Sequence, residues 1–225
     1  MVARMAGDTM PRDHLYFSRR AEQIMGMSAE VVRRRWTAAE VRALIAAEPL
    51  ASPRYELIDG ELFVTPSPAP PHQIAVLELV VALKLYCDAN GVGQTMPSPA
   101  DIELEPESVR QPDVFVLPIA EWKRIAREGF PARQLLLAVE VLSPSTKKLD
   151  RVTKRALFQR HVSEYWVVDV DARVVERWRP QDTEPEVVAD RLTWWPRGAP
   201  EPLVIGLVAL FARALGDPPP RSPGE

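Results

Sequence analysis

Leu135-Leu-Leu-Ala-Val-Glu-Val-Leu142 is the most apolar run of the chain, and it carries a single charge, Glu140. Strands buried on both faces of a sheet read as continuous apolar runs, so this segment predicts a central strand. A carboxylate inside it costs several kcal/mol unless it is paired or bound to a metal. A strand-end carboxylate facing solvent or an arginine is the plain alternative.

The flanking sequence supplies the rest of a sheet. Asp101–Leu104 and Pro112–Leu117 read as β, and a helical insert, Glu121–Glu128, precedes the apolar strand. A basic helix follows over about Ser145–Arg160. Tyr165–Val170 and Arg173–Trp178 then form a hairpin across Asp171-Ala172, ahead of a weak strand at Glu186–Ala189 and an apolar end segment, Leu207–Leu215.

Upstream, Thr37-Ala-Ala-Glu40 has capping-box spacing, with Val41, Leu44 and Ile45 following at helical spacing. Tyr55–Ile58 and Glu61–Val64 flank Asp59-Gly60, and Asp and Gly tolerate the positive φ of a type I′ hairpin turn. His72 opens an apolar helix through Ile74, Leu77, Val81 and Leu85, with Asn90-Gly91 as its C-cap. Both hairpins and one long crossover helix predict a mixed sheet flanked by helices, an α/β (α+β) fold. Residues 37–215 make the domain. Residues 1–36 read as an extension, partly disordered or helical, and 216–225 as a Pro-rich disordered tail.

Composition narrows the function classes. In 225 residues, 46% hydrophobic and 26% charged residues describe an ordinary globular chain. One cysteine, Cys87, excludes an intramolecular disulfide framework and a Cys-rich zinc module. No run of 18 apolar residues predicts a membrane span, and residues 1–30 lack a signal-peptide core. A cytoplasmic protein is expected. A formal charge of −3 gives no global basic field, so attraction to phosphates must be local.

Asp113, after Pro112 at the start of Val-Phe-Val-Leu117, gives Glu140 a partner. Two neighbouring strands can set these carboxylates side by side, where like charges repel. A hard divalent cation with oxygen ligands, Mg²⁺ or Mn²⁺, removes that repulsion. Downstream, Lys147, Lys148, Arg151, Lys154, Arg155 and Arg160 surround one acid, Asp150. Lys154 shares a helical side with Phe158, which places it next to the core and within reach of a phosphate or water. A solvated basic face is the alternative.

These segments resemble a known family. Tyr55-Glu-Leu-Ile-Asp-Gly-Glu61, Ser67-Pro-Ala-Pro-Pro-His72, Gln111-Pro-Asp-Val114, Val139-Glu-Val-Leu-Ser-Pro-Ser-Thr146, Asp150-x-x-x-Lys154 and Glu164-Tyr-Trp-Val-Val-Asp169 are similar to the Uma-two family of putative restriction endonucleases, in the PD-(D/E)XK nuclease superfamily. The likeness implies a restriction-endonuclease-like core and metal-dependent hydrolysis of DNA phosphodiesters. It puts Asp113 and Glu140 at the motif acids. Leu142 stands where the superfamily has lysine, and Lys154 on the following helix takes that role.

With Asp113 and Glu140, the main-chain carbonyl of Val141 would bind Mg²⁺ or Mn²⁺. Glu56, His72 and Gln111 match auxiliary positions, and Lys147, Lys148 and Arg151 would contact nucleic acid. A homodimer is expected by analogy with nucleases that cut both strands. A catalytically silent nucleic-acid-binding or regulatory module on the same scaffold is the rival reading.

Overall fold

The structure, a computed structural model, describes residues 30–32, 35–47, 54–65, 68–143 and 149–218. A six-stranded mixed sheet forms its centre, in the order β4 (Gln94–Pro97), β5 (Val114–Leu117), β6 (Leu137–Val141), β7 (Glu164–Asp169), β8 (Val174–Trp178), β9 (Glu186–Val188). Only β6 and β7 pair in parallel; every other neighbouring pair is antiparallel. The apolar run read first in the sequence is β6, an interior strand buried at all five positions.

Side-chain alternation divides the sheet into two faces. On one, Val116, Leu137, Val139, Trp166 and Val168 pack against α2 (Pro70–Asn90) and α5 (Leu207–Leu215). On the other, Phe115, Ala138, Leu142, Tyr165 and Val167 pack against α3 (Ile119–Glu128) and α4 (Arg155–His161). Burying each large apolar side chain contributes about 1.5–3 kcal/mol, so the two faces fix β5, β6 and β7 firmly. Asp113 has the parity of Phe115, and Glu140 that of Ala138, so both acids belong to the α4 face.

Helix α2 runs for 21 residues. Proline opens it, which costs nothing where the first N–H groups have no helical partner. Gly91 ends it at φ 62°, in the left-handed region that glycine tolerates. Ala75, Leu79, Leu83 and Cys87 form its buried row at intervals of four.

The first hairpin departs from expectation. β2 (Arg54–Ile58) and β3 (Glu61–Thr65) turn at Asp59 (φ 51°) and Gly60 (φ 81°), as a type I′ turn requires. They do not join the central sheet. With β1 (Glu30–Val32) they form a separate three-stranded antiparallel sheet, order β1-β3-β2. That sheet covers α1 (Ala38–Ala47) with Tyr55, Leu57, Leu62 and Val64, and it reaches the rest of the domain through a Leu57–Val109 bridge. Upstream of residue 37, β1 pairs with β3 and Trp36 is buried. Residues 1–29 and 219–225 lie outside the described residues.

Three further differences are local. Asp101–Leu104 forms no strand; Ile102 alone makes bridges, to Arg110 and Ala132. β4 was not foreseen, nor was the ribbon of β10 (Arg191–Trp194) and β11 (Leu203–Gly206), which packs Leu192, Trp194 and Ile205 under α2 and α5. The basic segment begins as a π-helical turn, Leu149–Lys154, before becoming α4; residues 144–148 lie outside the described residues.

Gly93 lets β4 enter the sheet. A Cβ there would stand 2.5 Å from the Leu117 carbonyl oxygen and 2.8 Å from a Val116 methyl. Gly93→Ala is expected to cost about 2 kcal/mol or more and to lower the melting temperature by several degrees in thermal unfolding, whereas Gly198→Ala, with open space around its Cβ, is limited to the smaller strain of its positive φ.

Candidate active site

Strands β2, β5 and β6, helix α2 and the π-helical turn bring the polar residues together at one end of the sheet. β5 pairs with β6 in the register Val114–Val139, and one further step of that ladder sets Asp113 opposite Glu140. The Val141 N–H, next along β6, donates to Asp113 Oδ2 at 2.8 Å. Both carboxylates are buried, Asp113 at 3% and Glu140 at 2% exposure.

Lys154 enters from the helical side. Its Nζ lies 2.8 Å from Glu56 Oε2, 3.1 Å from Glu140 Oε1 and 3.2 Å from Asp150 Oδ1. One ammonium thus faces three carboxylates. Burial alone would lower the Lys154 pKa, but Asp150, Glu140 and Glu56 raise it well above the ordinary lysine value. Lys154 is a fixed cation at neutral pH and no base.

Asp113 is held from three directions. Besides the Val141 N–H, Arg54 Nη1 stands 2.9 Å from its Oδ1 and His72 Nε2 3.2 Å from its Oδ2. Burial would raise its pKa; Arg54, His72 and the Val141 N–H overcome this and hold it below the ordinary aspartate value. Glu56 behaves alike: burial opposes ionisation, but Lys154, Arg54 and a 3.0 Å hydrogen bond from the Gln111 N–H prevail.

Glu140 is the exception. Burial raises its pKa well above the ordinary glutamate value, and Asp150, Asp113 and Glu56 add to that against the pull of Lys154. The buried hydroxyl of Tyr165 is raised for the same reasons, burial first and then the nearby acids. The cluster is thus crowded with carboxylates, and the crowding is felt at Glu140.

The site therefore brings together Asp113, Glu140, Val141, Lys154, Glu56 and His72, all named from the sequence. Gln111 contributes its backbone N–H, while its side chain donates to Asp101 at 2.9 Å. Arg151 does not join the cluster: it pairs with Asp169 at 2.9 Å and Glu176 at 2.7 Å. Lys147 and Lys148 lie outside the described residues.

Sequence reading passed over Arg54 and the part taken by Asp150. Both had a signal. Arg54 lies two residues before Glu56 on a strand and so on the same face, and Asp150 lies four before Lys154, which is ion-pair spacing on a helix.

A family model described as "Putative restriction endonuclease" matches residues 40–201, more than half of the chain. The chain belongs to this Uma-two family. The matched span holds every residue of the cluster. Among solved structures, this Uma-two protein is similar to one titled a putative nuclease, from Anabaena variabilis ATCC 29413. The two share 23% identity at a TM-score of 0.62, over 76% of this chain and 96% of that one. That likeness is one of fold. No curated protein matches the chain. Among the described residues, no helix of this Uma-two protein is long and apolar enough to cross a membrane.

The pKa of Glu140 gives a signed prediction. Its folded-state value lies above its unfolded one, so metal-free stability falls as pH rises from the ordinary carboxylate range through that raised value. Glu140→Gln removes the penalty and keeps an acceptor for Lys154. It is expected to raise the metal-free melting temperature at pH 8 by about 2–4 °C for each kcal/mol relieved, with a smaller gain at pH 5, as read by differential scanning fluorimetry at both pH values.

Proposed function

We propose that this chain is a metal-dependent endonuclease acting on DNA, with Asp113, Glu140 and Lys154 as its catalytic residues. The observation that carries this reading is the placement of Asp113, just before β5, and Glu140, on neighbouring β6, at one end of the sheet, with Lys154 against Glu140. A family of this description supports a nuclease; the metal and the choice of DNA are the finer parts of the proposal.

Among the described residues, no three His, Cys, Asp or Glu side chains are grouped as a ready-made metal cage. The cluster still fits a divalent ion, because Glu140 is a buried carboxylate whose charge the nearby acids oppose. Oxygen donors suit Mg²⁺ or Mn²⁺. Asp113, Glu140 and the Val141 carbonyl would hold the ion. When bound, such an ion polarises a phosphate oxygen and acidifies a water.

The chain's own groups do the remaining work. Lys154, charged and fixed by Glu56 and Asp150, offsets negative charge developing at the phosphate and orients the attacking water. Glu56 acts through Lys154 and is a positioning residue. His72 holds Asp113 with Nε2. Its buried Nδ1 has no hydrogen-bond partner among the described residues, which suits contact with a phosphate oxygen or a water.

Non-specific DNA binding is expected to be weak. Arg151, one of three proposed contacts, is already neutralised by two carboxylates, and it is Lys and Arg contacts to phosphate that give affinity its salt dependence. A homodimer finds a candidate surface on α2. Ile74, Leu77, Val81 and Leu85 form an exposed apolar stripe on the side opposite its buried row, with the Lys84–Asp88 ion pair alongside. In an isologous antiparallel contact each stripe meets the other copy's, residue i against j and j against i. In light scattering, the wild type is expected at twice 25.3 kDa and Leu77→Glu/Leu85→Glu at the monomer mass; a monomeric wild type refutes the dimer.

The decisive assay incubates purified protein with Mg²⁺ or Mn²⁺ and plasmid DNA, single-stranded DNA or RNA. Wild type is expected to cleave DNA, and Glu140→Gln to lose at least about 100-fold in rate while remaining folded. Equal cleavage by both proteins, or none by wild type on any nucleic acid, defeats the enzyme reading. The latter outcome with retained binding favours the silent module.

A further inference from the structure

Asp113 carries two assignments that conflict. As a metal ligand it must offer an oxygen to a divalent ion, yet Oδ1 already faces Arg54 Nη1 at 2.9 Å and Oδ2 accepts from the Val141 N–H at 2.8 Å. A guanidinium and a divalent cation on one carboxylate oxygen would be like charges within about 4 Å of each other. One of them has to leave.

Of Lys154 and Arg54, Arg54 is the one freer to move. Lys154 is 2% exposed and enclosed by three acids. The Arg54 side chain is 19% exposed; it touches Asp113 and the Gln111 carbonyl, the latter at 3.0 Å, and feels Glu56 and Glu140 as weaker, more distant attractions. Its departure leaves no acceptor stranded. The Ser98 hydroxyl, 2.7 Å from the Pro112 carbonyl and 3.1 Å from that of Gln111, can turn its one proton to the latter. Asp113 keeps the Val141 N–H and His72. A displaced guanidinium beside a nuclease cleft has an obvious new partner, since its planar fork matches the oxygens of a phosphate.

We propose that Arg54 is an exchangeable counter-cation: it holds Asp113 in the free protein and passes to a phosphate oxygen of the nucleic acid as a divalent ion takes Asp113. This rests on the nuclease reading and adds a coupling to it. Metal without nucleic acid must expel Arg54 into solvent, whereas metal with nucleic acid expels it onto a phosphate. Loading of the ion and engagement of the substrate then favour one another, and the free protein resists taking up metal.

Calorimetric titration with Mn²⁺, in the absence of nucleic acid, tests the competition. Arg54→Gln removes the charge but can still donate to Asp113. It is expected to bind Mn²⁺ about 5- to 50-fold more tightly than wild type, the range of ordinary coupling between two ligands. The same variant is expected to bind a short duplex more weakly in Ca²⁺, read by fluorescence anisotropy. Equal or weaker Mn²⁺ binding by the variant, or unchanged duplex affinity, overturns the exchange.

A wild-type measurement covers the case of a variant that does not fold. The Arg54 side-chain N–H signals are expected to lose protection from water exchange as Mg²⁺ is added, and unchanged protection at saturating Mg²⁺ overturns the inference. A wild type that binds no Mn²⁺, with or without duplex, sinks the metal reading together with the exchange. A wild type that binds Mn²⁺ no differently from Arg54→Gln sinks the exchange alone.

Discussion

An ammonium group surrounded by three carboxylates in the interior of a protein is a demanding arrangement, and Lys154 with Glu56, Glu140 and Asp150 is that arrangement here. Moving each charge out of water costs several kcal/mol, and mutual attraction offsets it only in good geometry. The three acids come from β2, β6 and the π-helical turn. The cluster therefore fixes the small sheet, the central sheet and the basic segment relative to one another. Replacing Lys154 by an apolar residue would leave several buried acids without their cation, so its loss reads first as a loss of fold.

That constraint shapes what the site can do. A lysine so held keeps its proton and acts through its charge. Asp113 and Glu56 are kept ionised by neighbours, while Glu140 is pushed toward its neutral form. The cluster is thus under electrostatic load at Glu140, the residue proposed above to take a metal. Natural sites commonly give up stability for function in this way. Arg54 fits the same logic from the other side, as a charge that holds Asp113 ready until a better-suited cation arrives.

The sheet supplies the rigidity that such a site needs. Phe115, Ala138 and Val167 pack on the α4 face alongside the acids, and Phe158 stacks on Tyr165 with ring centroids 5.1 Å apart. The Tyr165 hydroxyl donates to the Asp150 carbonyl at 3.1 Å. This ties the π-helical turn to β7 and holds Asp150, four residues before Lys154, in place. Trp194 is a core side chain, edge-on to Trp166 at 6.4 Å. Trp195 is exposed, and its indole N–H donates to the Ala199 carbonyl at 3.0 Å.

Local chemistry sufficed for much of this. The Asp59-Gly60 turn, the Thr37–Glu40 capping box, the Gly91 cap of α2 and the apolar run of β6 were each legible, because each depends on residues a few positions apart. The capping box closes as read, with the Thr37 N–H donating to Glu40 Oε2 at 2.8 Å. The pairing of Asp113 with Glu140 was legible as a pattern, since a lone acid in a buried strand demands a partner. β4 and the β10–β11 ribbon escaped notice because short strands containing proline or mixed polarity gain their shape from the surfaces they join. The three-dimensional fold alone decided that the first hairpin leaves the central sheet, that Arg151 turns to Asp169 and Glu176, and that Arg54 meets an acid 59 residues away. Those outcomes depend on which charges and apolar faces are brought together at a distance, and spacing along a chain carries no record of that.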